Sequence, residues 1–207
     1  MSNGVAKIAV TVAAAAIGFA AAQYGWHKYQ DHLVTQGVND KLDQLKSEAA
    51  RDNPNAPTST AMQQAALRDA TNAVNNAKDD DSKRATAAST FFGFYLINAR
   101  SRPEFCKEQG VDIQAFTGPF DSHHAKLREA SLPIMAATGY DEDKLYNMLK
   151  PQLRSMLEQD MKDIATSAHT DAKGACQLLA DRGADVADKL QFDKMQPAVY
   201  QVLIPGG

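Results

Sequence analysis

The chain has 207 residues, with 22 Lys and Arg against 25 Asp and Glu, a formal net charge of -3 and no concentrated basic block. That balance removes the electrostatic reason to expect nucleic acid, whose phosphate backbone is met by clustered Lys and Arg. At 44% hydrophobic the chain has the apolar mass to fold, and the length beyond its first segment suffices for one ordinary domain with its own core.

The first element is the stretch Val5 to Trp26, uncharged from Ile8 onward and built mostly of Ala, Val, Ile and Phe. Its length is at the short end of what crosses a hydrocarbon core of about 30 Å. As a retained anchor it spans a membrane, with Tyr24, Trp26 and Tyr29 as interfacial aromatics on one flank. As a signal peptide it has Lys7 ahead of the apolar run and Ala20-Ala21-Ala22 before Gln23 as a small-residue cleavage site. Alanine supplies little apolar area per residue, which weighs against spanning, whereas the aromatics weigh for it. An ordinary buried alanine-rich helix is the third reading. No Cys follows the apolar run, so a lipid anchor is not suggested. Residues 1–29 are therefore assigned to a transmembrane anchor or signal peptide. The remainder is expected outside the cytoplasm, as the periplasmic domain of a single-pass inner-membrane protein or as a soluble periplasmic or secreted protein after cleavage.

Residues 30–84 read as a polar helical spacer. Leu33, Val34, Val38, Leu42 and Leu45 recur at helical spacing and make a narrow apolar stripe. Pro54 and Pro57 end that helix, because each lacks an amide donor and disfavours helical geometry in the residue before it. Thr58, Ser59 and Thr60 are candidate caps for the next. Ala61 to Lys78 is helix-forming but short of large apolar groups, so it either packs closely through its alanines or needs a partner chain. Asp79-Asp80-Asp81 reads as a helix end, a loop or a following N-terminus. It lacks the alternating ligand spacing and later Glu of a calcium loop.

Residues 85–204 read as a compact helical bundle, followed by a flexible tail at 205–207. Thr90 to Ile97 is the densest large-apolar run and is expected to be a helix buried on every side, a buried strand being the local alternative. Gly110 closes the next helix, Asp112 is placed to cap Ile113 to Phe116, and Gly118-Pro119 supplies a further break. Pro133 bends the following helix or begins a new one. Asp141 caps the most strongly periodic region, where Leu145, Met148, Leu149, Leu153, Met156, Leu157, Met161 and Ile164 form a core stripe and Pro151 makes a kink or a second start. Shorter helices follow around Cys176 and Val186, and Pro197 to Ile204 either docks on the body or serves as a partner-binding tail.

The fold class is thus all-α: a membrane helix or signal segment, an extended helical spacer and a compact bundle. Cys106 and Cys176 are the two cysteines, and in an oxidising compartment an even pair reads as one disulfide. Phe91 and Tyr95 with Arg100 or Arg102 form a candidate site for a small amphipathic or anionic ligand, since a guanidinium offers a planar donor fork. His123 and His124 point about 100° apart on a helix and so do not make the paired face of a zinc site. With His169 they are weak metal candidates, and neither a metal nor a cofactor is expected. The chain has no Gly-x-Ser-x-Gly elbow and no recognisable Cys/His nucleophile pair. The expected role is noncatalytic: a structural or interaction protein whose partner is another envelope protein or a second copy, tied to the membrane through the N-terminal helix if uncleaved. A small-ligand binder and an enzyme with a site assembled from distant residues are the alternatives.

Overall fold

The computed structural model describes residues 30–206, whose regular elements are all helices, without strands. The anchor or signal reading of residues 1–29 lies outside the described residues. Among those described, no helix is long and apolar enough to cross a membrane.

Helix α1, Gln30–Asp52, and helix α2, Thr58–Asn75, form an antiparallel pair joined by the two prolines. The cap residue of α2 is Pro57, without a side-chain cap, instead of Thr58, Ser59 or Thr60. The cap comes from elsewhere: the Ser59 N–H donates to Asp163 Oδ2 at 2.9 Å, across 104 residues of sequence. The spacer reading of 30–84 needs revision. Val38, Leu42, Leu45 and Ala49 of α1, and Ala61, Ala65, Ala66, Ala70 and Val74 of α2, are buried in the same core as the later helices. Small side chains let backbones approach closely, so alanine contributes by proximity where it cannot contribute by area.

Helix α3, Asp80–Leu96, is the axis of the body, buried on every side from Thr86 onward. Asp79 accepts from the Ser82 N–H at 2.7 Å, and Asp80 and Asp81 sit in the positive first turn. The acidic run is therefore a helix start. The buried hydroxyls of Thr86 and Thr90 donate back to the carbonyls of Ser82 and Thr86, so they pack without an unmet hydrogen bond. A π-helical turn, Ile97–Ser101, then leads directly into α4, Arg102–Glu108. Pro103 cannot donate to the helix, and the widened turn just before it absorbs that lost bond without breaking the axis.

Gly110 ends α4 at φ +74°, a backbone region that glycine enters without a Cβ penalty. The carboxylate of Asp112 accepts from the Gln114 N–H at 2.9 Å, although Ile113 holds the cap position. Helix α5, Gln114–Ala137, runs unbroken through Pro119 and Pro133, which corrects the expected break at Gly118-Pro119. Pro133 is exposed, so water can take the carbonyl it leaves unpaired. Pro119 frees the Ala115 carbonyl instead, and that carbonyl faces Gly183, where an added Cβ would lie 2.6 Å away. Helix α6, Glu142–Ser167, is likewise continuous past the exposed Pro151, and Asp141 caps it by accepting from the Lys144 N–H.

Helices α7, Ala172–Asp181, and α8, Gly183–Lys189, close the bundle against α6 and α5 respectively. Two short helices follow, α9 at Phe192–Met195 and α10 at Pro197–Leu203. The last segment docks on the body: Val199 and Leu203 are buried against α2, α3 and α5. Gln196 fastens it to α2 by donating to the Leu67 carbonyl and accepting from the Thr71 hydroxyl.

Candidate functional site

Cys106 of α4 and Cys176 of α7 form a disulfide, with both residues wholly buried. The bond closes a sequence separation of 70 residues and ties the end of the central axis to the periphery. No free cysteine occurs among the described residues.

The four residues read as a ligand site are placed differently from one another. Phe91 lies in the core, its ring in contact with those of Phe92, Tyr95, His124 and Phe192. Tyr95 is nearly buried, and its hydroxyl donates to Asp121 Oδ1 at 3.1 Å. Burial, with the Asp121 charge beside it, pushes its phenol well above the ordinary range. Arg100 lies at the surface, paired with Asp143 at 2.8 Å and Glu142 at 3.7 Å and stacked over the Tyr146 ring. Since Glu142 also holds Arg128, and Arg128 covers the Tyr95 ring, Tyr95 and Arg100 share one polar network at the α3, α5 and α6 junction.

Arg102 lies apart from that network, with 0% exposure. It donates to Asp160 Oδ2 at 2.7 Å and to Asn98 Oδ1 at 3.2 Å, and a third nitrogen lies 3.3 Å from the Met161 sulfur. Asn98 in turn donates to the Phe94 carbonyl. Both guanidinium groups are therefore engaged by carboxylates of the chain itself, and none of Phe91, Tyr95, Arg100 or Arg102 lines either of the two clefts described below.

The three histidines are also separated in role. His123 faces Asp188 at 3.4 Å near the surface. His169 takes φ 53° at the end of α6, where Thr170 donates back to the Ala165 carbonyl, so it occupies the left-handed closing position usually held by glycine. His124 is buried at 2% exposure among Phe91, Phe94 and Phe120, with both ring nitrogens used. Its Nδ1 lies 2.7 Å from the Phe120 carbonyl, and its Nε2 accepts from the Phe192 N–H at 3.2 Å. A carbonyl only accepts, so Nδ1 carries the proton and the ring is neutral. Burial pushes its pKa down to about 4, against the partly compensating Phe120 carbonyl. Among the described residues, no group of three or more His, Cys, Asp or Glu is placed to hold a metal.

Two clefts open near these groups. One, of about 460 Å³, is lined by Pro103, Lys107, Val111, Asp112, Ile113, Gln114 and neighbours beside the disulfide. The other, of about 200 Å³, is lined by His123, His124, Lys126, Gln191, Phe192, Asp193 and Tyr200 among others. Sequence reasoning missed both Asp160 and the partner of His124. The signal was present, since Asp160 falls at helical spacing from Met156, Leu157 and Ile164, a charge on an apolar stripe. His124 likewise falls in register with Phe116, Phe120, Leu127 and Ser131.

The chain matches no family model, and no curated protein or solved structure is detectably similar to it.

Proposed function

We propose that this is a noncatalytic envelope protein: a helical body outside the cytoplasm, held at the membrane by the apolar segment near its start or exported past it, that serves a structural or interaction role. The observation that carries this reading is the closed, fully buried Cys106–Cys176 disulfide. Such bonds form and persist in oxidising compartments and are rare in the cytosol. The uncharged run from Ile8 to Trp26 supports the same placement independently. The noncatalytic part draws on how two enclosed groups suited to chemistry are spent, Arg102 on Asp160 and Asn98, and His124 on two backbone groups.

The described surface also bears on the kind of partner. Every Val, Leu, Ile, Met, Phe and Tyr side chain from residue 36 to residue 206 is buried or partly buried. A partner of this body therefore meets a charged and polar face, which favours a salt-sensitive contact over an obligate dry interface. Cross-linking in native membranes, followed by purification and mass spectrometry, tests the role. A stoichiometric envelope partner or a second copy is expected, its yield falling when salt is raised before cross-linking. A monomer with no enriched contact would count against the reading. A small-ligand role has one supporting observation, the cleft of about 460 Å³ beside the disulfide, a volume within the range of small-molecule sites.

A further inference from the structure

The C-terminal segment is held to the body at its start by a histidine that has no room for a second proton. His124 lies at the floor of the cleft of about 200 Å³, within the aromatic cluster of Phe91, Phe94, Phe120 and Phe192. Its Nδ1–H is spent on the Phe120 carbonyl, and its Nε2 lone pair receives the Phe192 N–H, the first amide of α9. A proton on Nε2 would set donor against donor at the Phe192 amide, with the Leu190 carbonyl as the acceptor beside it, and place a cation among aromatic side chains at 2% exposure. Burying a charge without a full set of partners is costly, so the contact must open or the proton must stay off.

We propose that His124 is a proton-operated latch on residues 191–204: neutral, it clamps this segment to the bundle, and protonated, it lets the segment open ahead of the rest of the body.

The surroundings of the ring define its response. On α5, His123 is the adjacent titratable group and repels a charge on His124, while Lys126 shares the cleft. On α3, the facing side chains are Phe91 and Phe94, and the nearby Tyr95 hydroxyl is committed to Asp121. From the α8 end, Asp188 engages His123 and the Leu190 carbonyl favours the charged ring. From α9 and α10 come Asp193, which also favours the charge, and Tyr200, which lines the cleft. Burial outweighs the favourable groups. Beyond the latch, the segment is held by Gln196 on α2 and by the buried Phe192, Val199 and Leu203. Opening it would uncover apolar side chains that the closed body hides.

The size of the response follows from linkage. A ring titrating near 6.5 when released and near 4 when clamped raises the opening equilibrium about 30-fold at pH 5 relative to pH 7.5.

Hydrogen exchange of the full-length protein in detergent, read by mass spectrometry and corrected for intrinsic rates, tests the latch. Between pH 7.5 and pH 5, protection of residues 192–204 is expected to fall about 30-fold while α6 keeps its protection. His124→Phe is expected to make protection of 192–204 independent of pH, whereas His123→Gln, which removes only a neighbouring charge, is expected to keep the fall with pH. If His124→Phe fails to fold, Asp193→Asn serves in its place with the series carried to about pH 3.5: removing a charge that favours the clamped, protonated ring lets the loss continue to lower pH than in the native chain. Protection of 192–204 that is flat with pH in the native chain, loss shared equally with α6, a response abolished by His123→Gln, or a loss that ends at the same pH in Asp193→Asn would overturn the proposal.

Discussion

Replacing Asp160 with Ala removes the carboxylate that faces the most deeply buried charge in the described body. Arg102 has 0% and Asp160 3% side-chain exposure, and their contact is 2.7 Å. What remains around the guanidinium is the neutral Asn98 amide at 3.2 Å and the Met161 sulfur at 3.3 Å. Neither neutralises a cation. Breaking a buried pair from one side costs about 3–5 kcal/mol, because the surviving charge keeps its desolvation penalty without its partner. With a urea m-value of about 2 kcal/mol/M, the midpoint falls by about 1.5–2.5 M. The assay is urea unfolding of the full-length protein in detergent, followed by circular dichroism. The double variant Arg102→Met with Asp160→Leu removes both charges, keeps the Asn98 bond to the Phe94 carbonyl and leaves the Asn98 Oδ1 without its donor, so it should cost about 1–3 kcal/mol, less than Asp160→Ala alone. An Asp160→Ala loss below about 1 kcal/mol would refute this reasoning, because it would mean that Arg102 reaches water.

Reducing the disulfide in the same assay should cost about 4 kcal/mol, the chain entropy of closing a loop whose ends are 70 residues apart, as read by the shift in midpoint with and without reductant. Gly183→Ala places a Cβ 2.3 Å from the Phe116 nitrogen and 2.4 Å from the Ala115 carbonyl carbon, so α5 and α8 must separate at a cost of about 2–3 kcal/mol. Gly118→Ala on the open face of α5 meets nothing within 4 Å outside its chain neighbours, and its helical gain of about 0.5–1 kcal/mol is offset by the new Cβ against the ring of Pro119, so its thermal melt should move far less than that of Gly183→Ala. Because the native state depresses the pKa of His124 to about 4, its contribution is fully present above the ordinary value of 6.5 and is lost as pH falls towards 4. Stability should drop by about 2 kcal/mol by pH 5 from this group, and unfolding titrations of His124→Phe should lack that component.

How much of this was legible beforehand depended on whether the cause was local. The α6 stripe from Leu145 to Ile164 is a property of spacing alone, and the pairing of Cys106 with Cys176 needed only a count and a compartment. Asp79 and Asp141 cap helices because the amides they accept from lie three residues on in the sequence. What failed was non-local. Ser59 is satisfied by Asp163, Arg102 by Asp160, and His124 by the Phe192 amide, each across more than 50 residues. The prolines misled for a related reason: the helix runs on through Pro119 where its first turn packs closely against Gly183 of another helix, a contact invisible to local spacing. The alanines of α2 left two readings open, close packing or a partner chain, and the first holds, whereas setting 30–84 apart from the bundle relied on side-chain area, which undervalues residues that act by letting backbones close.

The most direct measurement of the proposed placement is the intact mass of the chain recovered from fractionated native cells without reductant. The account predicts a species outside the cytosolic fraction, starting at Met1 if the anchor is retained or at Gln23 if it is cleaved, and lighter by two hydrogens for the Cys106–Cys176 bond. An unprocessed chain in the cytosolic fraction with both thiols intact would contradict it.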